Sequence, residues 1–348
     1  MQILFRRPLR MLAILGGSWR GRAWLKRALG REALLPVKSL PYNPDVIALI
    51  AQARSAGRRT LLVTASDQLM ADSVAAHMQL FDEAIGSDGV SNLRGTAKAA
   101  LLVKKFGRGG FDYAGDSAVD IPVWEAARHA YAVNPEPAAG RWVAQRGGGA
   151  TTLGAARRAG RALLRALRPR HWVKNTLVFL PMLAAPLWHQ GQTWWRLAAF
   201  SLALCFGAST ICLINDLSDI ALDRRHKDTS RSPIATGDLL IAEALLAIPL
   251  CLALAVCFSS LAGWKATQLL LGYMAAAGAC SFCFKRVPIL GVPCLAGLCL
   301  FRIVAGAVLA PVKLSPWQIA VALFLFLILA AAKRHRDPTG LAEGLCSI

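Results

Sequence analysis

Six apolar segments in the second half of the chain limit its possible folds more than any other feature of the sequence. An α-helix needs about 20 largely apolar residues to cross a bilayer, and inside the bilayer every backbone polar group must be satisfied within the helix. The sequence therefore predicts an all-α, polytopic membrane helix bundle of about six spans over residues 168–334. The segments are Thr176–Trp188, Trp195–Ile214, Leu239–Leu261, Ala266–Phe284, Val287–Ala310 and Ile319–Ala332.

The charge of the chain fits a membrane protein better than a nucleic-acid-binding one. The formal net charge is +20, from 40 Lys and Arg against 20 Asp and Glu, and in a soluble protein such an excess suggests nucleic acid. Here the cations cluster in alternate loops between the apolar segments, and no aromatic-interleaved basic motif is present. By the positive-inside rule, both termini are expected in the cytoplasm. We expect an integral protein of the cell inner membrane with no nucleic-acid partner.

Residues 1–134 have the pattern of a soluble α/β domain. Short β-branched runs alternate with helical stretches, which indicates a doubly wound parallel sheet. The predicted strands are Thr60–Thr64, Phe81–Ile85, Phe111–Ala114 and Ala130–Val133, and the predicted helices are Asp45–Ala56, Gln68–Leu80, Thr96–Phe106 and Val119–His129.

Three loops of this domain carry residues suited to phosphate and metal chemistry. Ligands of such sheets bind at the carboxyl ends of the strands. There Thr64 and Lys98 could bind a phosphate, while Asp116 and Asp120 could hold Mg²⁺. Their order and spacing resemble motifs two to four of the haloacid dehalogenase-like phosphatases.

The nucleophile motif of that family is missing. It is the first aspartate of an Asp-x-Asp-x-Thr sequence on the first strand, and Asp45 is the only aspartate before Thr64 in this chain. Covalent phosphoryl transfer has no first step without that carboxylate. We expect an incomplete, non-catalytic domain with a vestigial phosphatase-like site.

Residues 135–167 are expected to join the two domains. Pro135, Pro137 and the Gly147–Gly149 run predict a flexible linker. A basic amphipathic helix is expected from Leu153 to Leu167, on the membrane surface.

Three aspartates stand where the second apolar segment ends. On a helix, Asp216, Asp219 and Asp223 lie at i, i+3 and i+7 and share one face. Mg²⁺ prefers oxygen ligands and is usually held by one or two carboxylates together with substrate phosphates. Arg225 and Arg231 follow and suit a diphosphate. The alternative is a solvated acidic-then-basic loop between two membrane helices.

The sequence around these aspartates resembles the first aspartate-rich motif of the UbiA superfamily of membrane prenyltransferases. The resemblance lies in Asn-Asp-x-x-Asp-x-x-x-Asp, from Asn215 to Asp223, and in Ser-Pro-Ile-Ala-Thr-Gly from Ser232. Upstream, Arg-Pro-x-x-Trp-x-Lys-Asn resembles the first-helix motif of one branch, in which Lys174 and Asn175 face the active-site cavity. A Trp-anchored, positively charged entry into the membrane would explain the same residue types.

The resemblance implies a Mg²⁺-dependent enzyme that transfers a prenyl group from a prenyl diphosphate to a lipid-soluble, often aromatic, acceptor. It implies metal ligation by Asp216, Asp219 and Asp223. Diphosphate binding would fall to Lys174, Asn175, Asn215, Arg225 and Arg231.

Two other functions stay open, because the chain departs from the family pattern. Gly291 stands where a second aspartate-rich motif is expected, members usually have eight or nine spans, and residues 335–348 form an atypical polar tail that resembles a truncated or frame-shifted end. A non-catalytic membrane anchor is therefore one alternative. The other is phosphoribosyl transfer to decaprenyl phosphate, because the Trp-Val-Lys-Asn motif also resembles that branch.

Overall fold

The computed structural model describes residues 37–87, 92–154, 159–185, 191–224, 232–282 and 288–336. The chain divides into two compact units, Met1–Arg158 and Ala159–Ile348, called here the N-terminal and the C-terminal unit.

The N-terminal unit is α/β with parallel strands, which confirms the predicted class. Strands β1 and β2 pair in one sheet, and β3, β4 and β5 pair in order in another, every pair being parallel. Each predicted strand and helix has a counterpart, displaced by a few residues at its ends. The elements are α1 Pro44–Ser55, β1 Leu61–Asp67, α2 Gln68–Met78, β2 Glu83–Ser87, α3 Thr96–Phe106, β3 Asp112–Gly115, α4 Ile121–Ala126, β4 His129–Val133, α5 Pro137–Arg146 and β5 Ala150–Leu153.

The expectation of a flexible linker directly after β4 is wrong for α5 and β5. Pro137 lies in the first turn of α5, where proline is favoured, and Gly147 follows the helix with a φ of 67°. The proline and the glycines therefore delimit structure here. Ala139 is buried, and Trp142 stacks on Trp124 with 5.4 Å between ring centroids, so α5 packs on the unit's core.

All regular secondary structure among the described residues of the C-terminal unit is helical. A 3₁₀ helix covers Pro169–Phe179 and is called here the 3₁₀ segment. The α-helices are α6 Ala159–Leu167, α7 Leu180–Ala184, α8 Gly191–Asp223, α9 Pro233–Thr236, α10 Ile241–Ala262, α11 Trp264–Phe282, α12 Pro288–Leu309 and α13 Pro316–Arg336.

The expected count of six spans is not confirmed. Among the described residues, three helices are long and apolar enough to cross a membrane: Gly191–Ile220, Ile241–Ala262 and Gly291–Leu309. Pro316–Ala332 is a shorter apolar helix. Helix α11 has sufficient length but is less apolar, since Lys265, Thr267 and Gln268 lie in its first turns.

The first predicted span differs most from expectation. Residues Thr176–Trp188 were expected to form one helix, but the 3₁₀ segment extends to Phe179 and α7 ends at Ala184. Two prolines explain part of this difference. Pro169 opens the 3₁₀ segment, and Pro181 lacks the N–H that a longer α-helix would need at that position.

Helix α8 lies at the centre of this unit. It packs against the 3₁₀ segment and against α10, α11 and α12. The shared core contains fully buried side chains from α8, α11 and the 3₁₀ segment, including Phe200, Leu204, Leu270 and Val178.

The 3₁₀ segment and α12 touch through backbone at Gly306. A Cβ atom built on Gly306 would lie only 2.0 Å from the carbonyl oxygen of Val178. Only glycine permits this approach, so the position fixes how closely the two elements pack.

Replacing Gly306 with alanine is expected to destabilise the protein by about 1–3 kcal/mol, because the added methyl must displace backbone. Thermal unfolding of the detergent-solubilised chain measures this. Gly297→Ala in the same helix is the matched control, since no atom lies within 4 Å of its Cβ position. Equal unfolding temperatures for the two variants would contradict the close contact.

Candidate functional site

Asp216 is the most deeply buried carboxylate at the end of α8, with 2% of its surface exposed. The Arg168 guanidinium donates to its Oδ1 over 2.9 Å, and the Ser232 hydroxyl donates to its Oδ2 over 3.2 Å. Both oxygens therefore have charged or polar partners, which a carboxylate needs when it is removed from water. The two partners belong to the two sequence motifs that flank α8.

The short helix α9 holds Ser232 in place. Pro233 starts the helix, Ile234 and Ala235 are buried, and Gly237 ends it in the left-handed region with a φ of 85°. Arg224, directly after α8, donates from Nε to the Ala235 carbonyl oxygen over 3.2 Å. The Ser-Pro-Ile-Ala-Thr-Gly motif thus forms a compact turn that places the Ser232 hydroxyl next to Asp216.

The other predicted site residues of α8 are more exposed to solvent than Asp216. Asp219 and Asp223 are half-buried, and Asn215 is buried. Arg225 and Arg231 lie outside the described residues.

The carboxylates fit a magnesium ion held by few protein ligands. Within the described part of the chain, no three His, Cys, Asp or Glu side chains form a group that could hold a metal ion. Mg²⁺ does not require such a cage, because it keeps several waters and is commonly bound by one or two carboxylates plus substrate phosphates. A carboxylate has about four lone-pair positions, so Asp216 retains acceptor capacity beside Arg168 and Ser232.

The 3₁₀ segment presents one row of side chains to α8. Residues three apart are eclipsed in a 3₁₀ helix, so Trp172, Asn175 and Val178 lie in line. The Trp172 indole N–H donates to Ser209 Oγ over 3.1 Å, and Asn175 Nδ2 donates to Cys205 Sγ over 3.1 Å. This row attaches the segment to the small side chains of α8.

Asn175 is buried and hydrogen-bonded to groups of the protein. It is 1% exposed, and its Oδ1 accepts from Arg302 Nε over 2.8 Å, so its amide is already engaged by protein groups. Lys174, its neighbour, lines a cavity of about 60 Å³, called here the Lys174 cavity. The other residues lining it are Ala208, Ile211, Cys212, Tyr273, Ala277, Ser281, Leu295, Leu298, Cys299 and Arg302.

Arg302 is a functional candidate that is absent from the site residues expected from the sequence. It lies in the third candidate span, Gly291–Leu309, is 7% exposed, and donates from NH2 to the Tyr273 hydroxyl over 2.9 Å. The signal was available, because an ionisable residue within an apolar segment marks a functional site by default. No motif with known spacing surrounds it, so only the fold connects it to Asn175.

In the N-terminal unit, the structure brings together two of the four phosphatase-like residues. Lys98 Nζ donates to Asp120 Oδ1 over 3.1 Å and to the Tyr113 hydroxyl over 2.6 Å. Burial, and the Asp120 carboxylate beside it, raise the pKa of Tyr113, so its hydroxyl stays protonated and donates to Asp120.

Of the other two residues, Thr64 lies within β1 and Asp116 lies directly after β3. Thr64 Oγ1 accepts from the Ser66 amide over 3.1 Å, while Asp116 is exposed directly after β3. Gly115 allows Asp120 to approach β3, since a Cβ there would lie 2.8 Å from Asp120 Oδ2.

Family models match both units of the chain. Residues 177–337 match the UbiA prenyltransferase family, and residues 9–125 match haloacid dehalogenase-like hydrolases. The chain combines a UbiA-family domain with a haloacid dehalogenase-like domain. Both resemblances expected from the sequence are thus confirmed, and UbiA prenyltransferases generally depend on a metal ion.

Three relatives span different parts of the chain. Uncharacterized protein y4nM of Sinorhizobium fredii is 35% identical over 95% of this chain and 64% of its own length. Decaprenyl-phosphate phosphoribosyltransferase of Corynebacterium glutamicum is 34% identical over 50% of this chain and 54% of its own length. A 4-hydroxybenzoate octaprenyltransferase of Polaromonas is 35% identical over 24% of this chain and 29% of its own length. The chain thus spans less than two thirds of each of these relatives.

Breaking the Arg168–Asp216 pair is expected to destabilise the chain strongly. Arg168→Gln leaves a buried carboxylate without its cation, a change that typically costs about 3–5 kcal/mol. Adding Asp216→Asn should recover most of this loss. Thermal unfolding of the two single variants and the double variant in detergent gives the coupling energy.

The control is an exposed pair of the same chemistry and nearly the same length. Arg165 and Asp238 lie 3.1 Å apart with side chains 58% and 50% exposed, so Arg165→Gln should cost about 0–1 kcal/mol. Similar coupling energies for the two pairs would show that burial does not strengthen the Asp216 interaction.

Proposed function

We propose that the chain is a metal-dependent membrane transferase that moves phosphoribose from phosphoribosyl pyrophosphate to a polyprenyl phosphate. The observation that carries the proposal is the buried Asp216, held by Arg168 and Ser232 near the C-terminal end of α8. A donor with a diphosphate leaving group requires such a carboxylate site for its metal ion. The phosphoribosyltransferase relative, similar over half of this chain, favours phosphoribose as the transferred group.

The proposed reaction is a substitution at the anomeric carbon of the ribose. The bond from that carbon to the pyrophosphate oxygen breaks, and pyrophosphate leaves with the electron pair. An oxygen of the lipid phosphate forms the new bond to the same carbon. Bound Mg²⁺ would offset the negative charge that develops on the leaving pyrophosphate.

The side chains of the chain would position the two reactants. Asp216 and Asp219, one turn apart on α8, would orient the donor through its metal ion. Arg168 and Ser232 keep Asp216 in a fixed rotamer, so the carboxylate does not have to reorganise when the donor binds. Lys174, on the wall of the cavity, would supply a cation to phosphate oxygens.

Prenyl transfer to an aromatic acceptor is the second candidate. The octaprenyltransferase relative favours it, although the similarity covers 88 residues only. Both donors carry a diphosphate, so the aspartates serve either reaction. The two differ in which substrate is lipid-soluble: the acceptor in phosphoribosyl transfer, and the donor in prenyl transfer.

Membranes that contain the full chain should transfer label from phosphoribosyl pyrophosphate to decaprenyl phosphate. Asp216→Asn and Asp219→Asn should each lower the rate about 10²–10³-fold, the usual loss when one preorganised electrostatic group of a site is removed. Asp238→Asn, an exposed aspartate of the same unit, is the control and should keep the activity. Transfer from octaprenyl diphosphate to 4-hydroxybenzoate instead would select the second candidate.

Removal of divalent metal should abolish the same transfer. Incubation with a chelator is expected to stop the reaction, and added Mg²⁺ should restore it. Ca²⁺ should restore it poorly, since its longer bonds and variable coordination do not suit a site of few carboxylates and phosphates. Full activity in excess chelator would show that the aspartates act without a metal ion.

We also propose that both termini lie in the cytoplasm, as the distribution of cations predicts.

The N-terminal unit is proposed to be non-catalytic as a phosphatase, because Lys98 and Asp120 are engaged with each other and with Tyr113. Its role would then be structural or regulatory for the transferase unit.

A further inference from the structure

Arg302 carries a buried positive charge, and its hydrogen-bond partners among the described residues are all neutral. Its Nε donates to Asn175 Oδ1 over 2.8 Å, its NH1 to the Leu298 carbonyl oxygen over 2.7 Å, and its NH2 to the Tyr273 hydroxyl over 2.9 Å. The guanidinium also lies 5.2 Å from the centre of the Tyr273 ring. Its hydrogen bonds are well satisfied, but no carboxylate of the described residues forms an ion pair with it.

Such a charge is costly inside an apolar helix. Cations within membrane spans almost always face an interior cavity and pair with another group. Arg302 does line a cavity, and Lys174 of the 3₁₀ segment lines the same one. Because Arg302 has no carboxylate partner among the described residues, its charge gives this space a positive potential that favours an anion.

The cavity lies next to the aspartate site. Its wall on α8 includes Ala208, Ile211 and Cys212. Cys212 precedes Asp216 by one helical turn on the same face, a rise of about 6 Å along α8. A group bound in the cavity would therefore be one turn from the carboxylate proposed to hold the donor.

We propose that the Lys174 cavity binds a phosphate monoester, namely the headgroup of the lipid acceptor. This inference rests on the proposed phosphoribosyl transfer and names the site of its second substrate. The space of about 60 Å³ suits a small anionic group. The lining also includes the apolar side chains of Ile211, Leu295 and Leu298, which suit the isoprenoid chain that follows the phosphate.

Two neutral residues position the Arg302 cation. The Asn175 amide oxygen accepts from Nε of the guanidinium and the Tyr273 hydroxyl accepts from Nη2, so its planar fork is already oriented before an anion arrives. This gives Asn175 a positioning role behind the site, in place of direct contact with the diphosphate.

The phosphate in the cavity has one other possible source, the 5-phosphate of the donor. The location favours the lipid, because the residues of α8 that line the cavity, Ala208, Ile211 and Cys212, lie within the candidate span Gly191–Ile220. A water-soluble donor held by the aspartates would approach from the end of the helix. The two sources can be separated by equilibrium binding.

The test is calorimetric binding to the full chain in detergent, without metal ion and without phosphoribosyl pyrophosphate. Farnesyl phosphate is the lipid probe and farnesol its uncharged analogue; ribose 5-phosphate and inorganic phosphate represent the soluble anions. Farnesyl phosphate should bind at least tenfold more tightly than farnesol. Arg302→Gln and Lys174→Gln should each weaken its binding about 10–100-fold, the loss expected for a hydrogen bond to a charged group.

Matched variants separate charge from folding. Arg302→Lys keeps the charge and should retain part of the affinity that Arg302→Gln loses. Arg196→Gln, an exposed arginine near the start of α8, should leave binding unchanged. Elution as a single species in size-exclusion chromatography shows that each variant is folded. If Arg302→Gln does not fold, Lys174→Gln decides, because Lys174 is only half-buried.

Three outcomes would overturn the inference. The first is equal affinity for farnesol and farnesyl phosphate, and the second is farnesyl phosphate binding that neither Gln variant weakens. The third is that ribose 5-phosphate or inorganic phosphate, and not farnesyl phosphate, saturates the Arg302-dependent site. The assay contains no donor, so it does not depend on catalysis. If farnesyl phosphate binds but phosphoribose is not transferred, only the proposed function is wrong. If phosphoribose is transferred but farnesyl phosphate binding does not depend on the two cations, only this inference is wrong.

Discussion

A buried carboxylate at the end of an apolar helix is the constraint around which the C-terminal unit is built. Asp216 would be unstable there without partners, because an isolated charge removed from water loses several kcal/mol of solvation. Arg168, which precedes α8 in the sequence, and Ser232, which follows it, supply those partners. To do so, the 3₁₀ segment and α9 must both return to the same end of α8, and their packing follows from this requirement.

The polar groups of the unit form two layers along α8. The first contains Asp216, Arg168 and Ser232, and the second contains Asn175, Arg302 and Tyr273. The first layer has a negative group held by donors, and the second has a positive group held by acceptors. An arrangement of this kind suits two substrates that each carry phosphate, one bound through a metal ion and the other directly.

Much of the fold could be predicted because its signals are local. The strands of the N-terminal unit follow from short β-branched runs, and the common face of Asp216, Asp219 and Asp223 follows from helical spacing alone. The 3₁₀ segment was not predictable in this way, since apolar content gives no information on which helical hydrogen bond forms. Strand β5 was also missed, because the Gly147–Gly149 run that precedes it is equally typical of linkers. Arg302 lacked a motif, and its contact with Asn175 joins positions 127 residues apart in sequence.

The glycine contact between α12 and the 3₁₀ segment has a consequence for specificity as well as for packing. Gly306 lies one turn after Arg302, and Val178 lies one 3₁₀ turn after Asn175. The Gly306–Val178 and Arg302–Asn175 contacts therefore connect the same two elements one turn apart. The backbone contact at Gly306 sets the axial register of α12, and that register sets the height of the Arg302 guanidinium in the cavity. A larger residue at position 306 would shift α12 relative to the 3₁₀ segment, and it would alter the anion binding proposed for the Lys174 cavity from a position that does not line that cavity.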